Sequence, residues 1–462
     1  MASESLTRMR RTVSRAGVIA FVMAGCRGPA PGEASGPPAA PAPSGRSGSA
    51  AAQASWITVI GGSGNEEAHG MAVTPDGLVV VGMHDGPIEG PAGLAESRGM
   101  EDAFVARLSR DGQLTWLRTL GSPKRDFAWS VAALGGGGGA IVGIESDGTL
   151  QIDGVSTRTA EQERRDDQPP VLLALDAGGK RTWERSLAGE NGAVRAVAAR
   201  GSDVAVAGWS LVRSGPRDLG TGPMTCDLAG MFVGVWSAAG EARWVRCSKA
   251  RLASQGQRPD DVAFGADGRV AMCGRMDAGM VGFGGSSVEV EHDQGAVVVA
   301  AFGPGGEPLW IATPAVDLDA ECLGLVVADD GTVIVAVNTG VAPAVGEVIA
   351  LADGKPTWRT PVSRLLGRDR GTATAIASSG RDLLVGAYSK DGGALVAVDP
   401  RSGAARGAPT ALGVLHAEAI AVGDRIYVAG DADRDGSVAG HAVKVRGKKD
   451  VVVVALPASA AR

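Results

Sequence analysis

The composition of this 462-residue chain is typical of many short strands, and its charge argues against a nucleic-acid partner. Glycine accounts for 70 residues, about twice the usual share, and aromatic residues for only 4%. The formal net charge of −6 and the lack of a Lys/Arg stripe with interleaved aromatics exclude a surface that follows phosphates. Length alone permits several domains or one long repeat fold.

Residues 1–26 have the layout of an export signal. Four arginines between positions 8 and 15 precede the apolar stretch 16–25 (AGVIAFVMAG), which is too short to span a bilayer. Cys26 follows in VMAGC, which resembles the lipobox of bacterial lipoproteins, with Met23 where leucine is usual. The resemblance implies that Cys26 is lipidated, and Arg27 in place of aspartate favours the outer membrane. The alternative is an ordinary cleaved signal with an incidental cysteine.

Residues 27–54 are predicted to form a disordered tether. The segment is almost wholly Ala, Pro, Gly and Ser and cannot bury enough apolar surface to fold. A chain of this length spans on the order of 30 Å on average. The sequence therefore predicts a lipid bilayer as one partner, reached through acylated Cys26, and a folded body over residues 55–457.

Tryptophans recurring at intervals of 48 to 67 residues mark an internal repeat. The set is Trp56, Trp116, Trp183, Trp244, Trp310 and Trp358. The last five have glycine four positions earlier, as Gly179 precedes Trp183 in AGGKRTW. A glycine at this place suits a tight hairpin turn that needs a positive φ, and the tryptophan then lies on the next strand.

Each repeat contains four short strands. An apolar strand precedes the turn seven times, from 102–108 (DAFVARL) to 450–456 (DVVVVAL), and a second pair of strands also occurs seven times. Four strands per repeat predict an all-β chain with the β-propeller fold. The body begins with a tryptophan strand and ends with the strand that should precede one, so we expect seven four-stranded blades closed by pairing of the N- and C-terminal strands. Six or eight blades, or two domains, are the alternatives.

The repeated turn resembles known propeller repeats. LALDAGGKRTW (173–183) is similar to the tryptophan-docking repeat of PQQ-type quinoproteins and outer-membrane-assembly lipoproteins. EDAFVARLSRDGQLTW (101–116) resembles the D-A-F-V-A-K-L repeats of bacterial secreted proteins and lipoproteins. These resemblances imply that each tryptophan docks between neighbouring blades, and they specify a fold rather than an activity. Gly407 stands where tryptophan should follow Gly403, which predicts one looser contact between blades.

The candidate metal site is the turn DADRDG (431–436). It places Asp431, Asp433 and Asp435 in the pattern that opens an EF-hand-type calcium loop. The ninth and twelfth positions are Ala439 and Ala442, so further ligands must come from elsewhere or from water. Calcium is the cofactor that this turn predicts, and an acidic solvated loop is the alternative.

Catalytic motifs are missing from the sequence. The histidines have no metal-ligand spacing and are interpreted as loop or rim residues: His69, His84, His292, His416 and His441. The quinoprotein resemblance would imply adjacent cysteines, which are absent, so PQQ is not expected. Carboxylates near the repeat entries are the candidates for a propeller lyase or hydrolase: Asp126, Asp260, Asp261 and Glu321.

Four cysteines follow Cys26, and an exported chain can pair them in three ways. Cys226 and Cys247 flank one apolar strand, which predicts a local disulfide between them. Cys273 lies inside the strand VAMCG, where a buried free thiol is the alternative.

The connection after the second strand varies most between repeats. It is long in the first four repeats, over 83–101, 144–170, 209–230 and 275–295, and short in the next two. Loops on one side of a rigid repeat scaffold are where such proteins bind partners. We therefore expect an envelope-anchored scaffold that binds protein or polysaccharide, and a binding protein rather than an enzyme. The alternatives are a lyase or hydrolase with an acidic funnel and a PQQ-type redox protein.

Overall fold

The computed structural model describes residues 54–152, 155–212, 216–226, 229–251, 257–290, 295–317, 319–340 and 344–461. The predicted signal, the lipidation site Cys26 and the tether up to residue 53 lie outside the described residues. Within those ranges the chain is all-β, as the sequence predicts. No helix in these ranges is long and apolar enough to cross a membrane.

The described chain consists of short strands with a few short helices. In chain order the strands are β1 (Trp56–Ile60), β2 (Glu66–Thr74), β3 (Gly77–His84), β4 (Ile88–Gly90), β5 (Gly93–Ala95), β6 (Asp102–Ser109), β7 (Leu114–Leu120), β8 (Asp126–Ala133), β9 (Ala140–Ser146), β10 (Gln151–Ile152), β11 (Val155–Ser156), β12 (Val171–Leu175), β13 (Arg181–Ser186), β14 (Asn191–Arg200), β15 (Asp203–Leu211), β16 (Arg217–Asp218), β17 (Pro223–Met224), β18 (Ala229–Ser237), β19 (Ala242–Cys247), β20 (Lys249–Arg251), β21 (Arg258–Phe264), β22 (Val270–Met276), β23 (Gly279–Phe283), β24 (Ser286–Val290), β25 (Ala296–Phe302), β26 (Pro308–Val316), β27 (Glu321–Val327), β28 (Val333–Thr339), β29 (Val345–Ala352), β30 (Lys355–Pro361), β31 (Thr372–Ser378), β32 (Leu383–Ser389), β33 (Gly392–Val398), β34 (Thr410–Gly413), β35 (His416–Val422), β36 (Ile426–Ala432), β37 (Gly436–Val438), β38 (His441–Val443) and β39 (Asp450–Leu456). The helices are α1 (Ala160–Arg165), α2 (Val362–Leu366) and a 3₁₀ helix (Ala458–Ala461).

Seven sets of four antiparallel strands make up most of the described chain, and we call them units 1 to 7. They are β2-β3-β6-β7, β8-β9-β12-β13, β14-β15-β18-β19, β21-β22-β25-β26, β27-β28-β29-β30, β31-β32-β33-β34 and β35-β36-β39-β1. Unit 7 takes its fourth strand from the other end of the described chain, because β1 pairs with β39 with Trp56 opposite Ala455. A single bridge between Ala193 and Glu145 also joins units 2 and 3.

The hydrophobic core lies between the sheets. The middle strands of the units are continuous apolar runs, and every residue of β25 (AVVVAAF) is buried. Such a run suits a strand that is covered on both faces. The buried residues of the described chain form seven clusters, each shared by two successive units, and one of these joins units 7 and 1. Each fully buried valine or leucine side chain contributes about 1.5–3 kcal/mol relative to an exposed one.

The repeat tryptophans pack on the glycine turns of the following units. Trp116 lies against Gly179, whose φ is 79° and where an added Cβ would stand 3.0 Å from the indole. Its indole Nε1 also donates a hydrogen bond to the Ala177 carbonyl at 3.0 Å. The other pairs are Trp56 on Gly112, Trp183 on Gly240, Trp244 on Gly306, Trp310 on Gly354 and Trp358 on Gly403. The glycine is therefore required both for the turn and for the close approach of the ring.

The junction between units 6 and 7 has a different contact. The third and fourth strands of unit 7, β39 and β1, come from opposite ends of the described chain, so no turn joins them and a tryptophan would have nothing to pack on. The 3₁₀ helix that follows β39 lies here instead, and Thr410 Oγ1 donates to the Ala460 carbonyl at 3.0 Å. This geometry is the physical reason for Gly407 in place of tryptophan.

One end of the sheets carries every connection of the described chain that contains a further strand or helix. Because the strands of a unit are antiparallel, the connection from its second to its third strand lies beside the start of its first strand; we call this the insertion end. Unit 1 has the hairpin β4–β5 there, unit 2 β10–β11 and α1, unit 3 β16–β17, unit 4 β23–β24 with β20, and unit 7 β37–β38. Units 5 and 6 have no described strand or helix in this connection.

Candidate functional site

The first strand of every unit carries a β-bulge at its third, fourth or fifth residue. The register shifts around His69, Trp129, Arg195, Asp260, Leu323, Thr374 and Glu418, one in each described unit, and we call these residues the bulge set. A bulged residue leaves the hydrogen-bonded ladder, and its side chain is re-aimed. These positions also lie toward the insertion end, because each first strand begins there.

The bulge residues of units 1 to 4 touch one another across the unit boundaries. The His69 ring stacks on Trp129 with the ring centroids 4.4 Å apart. The Arg195 guanidinium carbon lies 3.4 Å from the Trp129 ring centroid, and Arg195 Nη2 lies 3.9 Å from Asp260 Oδ1. Four successive units thus contribute to one continuous row, which we call the polar row.

Carboxylates from neighbouring strands hold the polar row in place. Glu145 on β9 accepts a hydrogen bond from Trp129 Nε1 at 2.7 Å and lies 3.9 Å from Arg195 Nη1. Asp260 accepts one from Arg258 Nε at 2.9 Å. Burial raises the pKa of Glu145, and burial together with the Arg258 charge lowers the pKa of Arg195 to about 10. The charges of the row are therefore paired and desolvated.

Unit 7 extends this charged arrangement beside His69. Lys449 Nζ lies 2.8 Å from Glu67 Oε1 and 3.6 Å from Asp431 Oδ2. Burial alone would raise the pKa of Glu67, but the neighbouring His69 and Lys449 side chains lower it to about 2. The bulge residue Glu418 pairs with His416 at 2.7 Å.

Units 5 and 6 contribute uncharged bulge residues. Leu323 packs against the hydrophobic cluster between these two units. Thr374 is buried, and its Oγ1 has no hydrogen-bond partner among the described residues. The same holds for Asp260 Oδ2 and Arg195 Nε in units 4 and 3. The polar row therefore contains buried donors and acceptors that have no hydrogen-bond partner among the described residues.

The three aspartates of the predicted calcium site do not converge. Asp431 lies on β36, where it accepts a hydrogen bond from the Ala68 amide at 2.8 Å. Asp433 contacts Arg434, and Asp435 accepts from the Val445 amide at 2.9 Å. In the described part of the chain, no group of three or more His, Cys, Asp or Glu could hold a metal ion. Calcium binding at this turn stays a prediction without support from this geometry.

The cysteines form two disulfides in the described chain. Cys226 pairs with Cys247, with the Cα atoms 5.6 Å apart, which is the pairing that their positions around one strand predict. Cys273 pairs with Cys322, with the Cα atoms 6.2 Å apart, so a free thiol at Cys273 is the wrong alternative. The second disulfide joins β22 of unit 4 to β27 of unit 5.

Only one of the four carboxylates considered for catalysis belongs to the bulge set. Asp126 is fully buried and accepts from the Ser122 amide at 2.6 Å, while Asp261 accepts from the Leu325 amide at 2.8 Å. Burial raises the pKa of both carboxyls to about 6. These two side chains fasten loops and neighbouring units, Glu321 is exposed, and Asp260 alone lies in the polar row.

The bulge set was not identified from the sequence, although a signal was present. Aligned on the first strands, the repeats read A-H-G-M, A-W-S-V, V-R-A-V, P-D-D-V, C-L-G-L, A-T-A-I and A-E-A-I. The second position varies freely while the fourth is always aliphatic or methionine. A free position beside a constrained one indicates a side chain outside the core. The interpretation of His69 as a loop or rim residue was wrong, because it lies within β2.

Comparisons with known proteins show structural likeness without a family. No family model matches the chain, and no curated protein matches its sequence. A puromycin hydrolase structure has a TM-score of 0.46 at 16% identity, covering 82% of this chain and 54% of that one. The Dos1 propeller has a TM-score of 0.46 at 9% identity, covering 87% of this chain and 95% of that one.

An acylaminoacyl peptidase from Pyrococcus horikoshii is similar at a TM-score of 0.44 and 6% identity, covering 83% of this chain and 52% of that one. The chain therefore spans about half the length of the two hydrolases. At these TM-scores and identities, the likeness transfers neither an activity nor a substrate to this chain.

Proposed function

We propose that residues 55–457 form a seven-bladed β-propeller that serves as a binding scaffold rather than as an enzyme. Closure of the ring by β1 and β39 is supported by their pairing and by the core cluster shared by units 7 and 1. Contacts between successive first strands, including β35 with β2, support the same arrangement. Closure removes the unpaired sheet edges that would otherwise promote aggregation.

The observation that carries the binding role is the coincidence of two asymmetries. The long insertions and the charged or aromatic bulge residues occur in the same units, 1 to 4 and 7, and at the same end of the sheets. Units 5 and 6 have neither. Variable loops above a variable row of side chains, both held by a constant scaffold, are the usual construction of a binding face in repeat proteins.

Exposed apolar side chains at the insertion end support a macromolecular partner. Leu94 in β5 is 58% exposed, and Met100, just before β6, is 57% exposed. Val155 in β11 and the strand-end residues Val316 and Val345 are also exposed at this end. Among the described residues, Leu309 is the exposed large hydrophobic side chain that lies at the opposite end. Apolar groups gathered on one face favour an interaction surface.

Lipidation of Cys26 would place this scaffold at the envelope. The Ala/Pro/Gly/Ser tether would hold the propeller on the order of 30 Å from the membrane, with the outer membrane favoured by Arg27. The partner would be a protein or a polysaccharide. A lyase or hydrolase role has less support, because Asp126 and Asp261 are committed to backbone amides.

The test is capture of partners from envelope extracts with the full, lipidated chain. The binding variant combines Leu94→Ser with Met100→Ser, and the matched control is Leu309→Ser, an exposed leucine at the other end. We expect the double variant to lose the captured partner and the control to retain it. Equal capture by both variants, or no partner with the native chain, would overturn the proposal.

A further inference from the structure

We propose that the polar row of units 3 and 4, together with Phe127 of unit 2, binds a neutral sugar residue of a glycan chain. This inference rests on the proposed binding function and names the chemistry of its ligand. It starts from atoms in the row whose hydrogen bonds are unmade, at the end of the sheets where the insertions lie.

The unmade hydrogen bonds are of both kinds. The Asp260 side chain is 9% exposed, and its Oδ2 is an acceptor without a partner. The Arg195 side chain is 12% exposed, and its Nε is a donor without a partner. A buried polar atom that lacks a partner costs about 1–3 kcal/mol. A ligand hydroxyl that reached these atoms would donate to the first or accept from the second, so a ligand rich in hydroxyls suits them.

The charges of the row disfavour an ionic ligand. An anion would have to approach Glu145 and Asp260, and a cation would have to approach Arg195 and Arg258. These groups already neutralise one another at 2.9 to 3.9 Å. Introducing a further charge would add the desolvation of that charge without a free counter-charge to compensate it. A neutral ligand that hydrogen-bonds in both senses avoids this cost.

An aromatic surface adjoins these polar atoms. Phe127 stacks on Trp129 with the ring centroids 5.0 Å apart and stands nearer the start of β8, toward the insertion end. Both rings are half-buried. His69 and Arg195 lie against Trp129, so Phe127 is the ring of this group nearest the loops. A sugar ring presents C–H groups to an aromatic side chain and hydroxyls to polar atoms at its edge, which fits a site with few polar groups beside aromatic rings.

The experiment is a calorimetric titration of the full chain in detergent with neutral hexasaccharides. Cellohexaose, maltohexaose and chitohexaose are the probes, and oligogalacturonate and the chitosan hexamer are the anionic and cationic comparators. We expect at least one neutral hexasaccharide to bind and both charged oligomers to bind at least tenfold more weakly. Preference for a charged oligomer, or no binding by any neutral probe, would overturn the proposal.

Variants locate the site and separate it from the scaffold role. Asp260→Asn and Phe127→Ala should each weaken binding at least tenfold. Asp267→Asn is the matched control, because Asp267 pairs with Arg269 at 2.8 Å in the turn at the other end of β21. Unchanged affinity in both site variants, with native melting temperatures, would place the sugar elsewhere and refute the assignment. Absence of glycan binding by the native chain, with Leu94-dependent capture retained, would refute this inference and leave the scaffold function standing.

Discussion

Units 1 to 4 and units 5 and 6 are built from the same four-stranded sheets, yet they differ in their bulge residues and in their connections at the insertion end. In the first group the bulge residues are His69, Trp129, Arg195 and Asp260, and each unit carries a hairpin at the insertion end. In the second group the bulge residues are Leu323 and Thr374, and the connections are short. The comparison indicates that core packing is the same in all units, while charged and aromatic bulge residues are absent from units 5 and 6.

The disulfide at the boundary between the two regions should have the largest effect on stability. Cys273–Cys322 closes a loop of 49 residues between units 4 and 5, while Cys226–Cys247 closes one of 21 within unit 3. Chain entropy gives about 4 kcal/mol for the first and about 3 kcal/mol for the second. Replacing Cys273 and Cys322 by alanine should therefore lower the free energy of unfolding more than replacing Cys226 and Cys247, and denaturant unfolding measures both losses. The reverse order would mean that the boundary is not held by its cross-link.

Tryptophan docking should be equally important in both regions, because it belongs to the constant scaffold. Trp183 packs on Gly240 between units 2 and 3, and Trp358 packs on Gly403 between units 5 and 6. Both rings are half-buried, so Trp183→Ala and Trp358→Ala should each lower the free energy of unfolding by about 2–3 kcal/mol. Chemical denaturation checks this. A difference above about 1.5 kcal/mol between the two losses of unfolding free energy would contradict an equal role for tryptophan docking in both regions.

The junction of units 7 and 1 should respond to pH, unlike that of units 5 and 6. Glu66 is the first residue of β2 and Asp450 is the first residue of β39, and both are fully buried. The equivalent strands of units 6 and 5 begin with Thr372 and Val345. Burial, with Asp450 nearby, raises the pKa of Glu66 from 4.5 to about 7. As the pH rises, Glu66 loses its proton in the unfolded chain before it does so in the folded one. Its contribution to the free energy of unfolding is therefore complete below pH 4.5 and is lost as the pH rises to about 7.

Glu66→Gln should remove this pH dependence, which is on the order of 3 kcal/mol. Unfolding free energies at pH 4.5 and pH 8 provide the measurement, and Glu347→Gln, a half-buried carboxylate of unit 5, is the control. Parallel pH profiles for the native chain and the Glu66 variant would show that the acid pair is not responsible.

The smallest effect is expected at the predicted calcium turn of unit 7. Asp431 accepts from the Ala68 amide and lies 3.6 Å from Lys449, while Asp433 contacts Arg434 and Asp435 accepts from the Val445 amide. Calorimetry should therefore show only weak binding, in the range of about 10⁻⁴–10⁻³ M. Asp433→Ala should abolish the heat and change stability by less than about 0.5 kcal/mol. Absence of any binding heat at millimolar calcium would show that this turn does not bind calcium.

The sequence by itself determined the repeating elements, because their causes are local. Gly179 and Trp183 lie four positions apart, so the turn, its positive φ and the start of the next strand follow from adjacent residues. Apolar runs such as AVVVAAF indicate buried strands wherever the remainder of the chain lies. The all-β class and the strand order could thus be predicted without coordinates.

Only the tertiary structure decided which side chains meet. His69, Trp129, Arg195 and Asp260 occupy the same place in four successive repeats, 60 to 66 residues apart, but that spacing does not show that they touch. They converge because successive first strands carry a bulge at the same height. From the sequence, Asp431 likewise resembled a calcium ligand beside Asp433. In the structure it accepts a hydrogen bond from the amide of Ala68 in unit 1, 363 residues away. Local physics specifies each strand, while the contacts of a side chain depend on how distant strands are brought together.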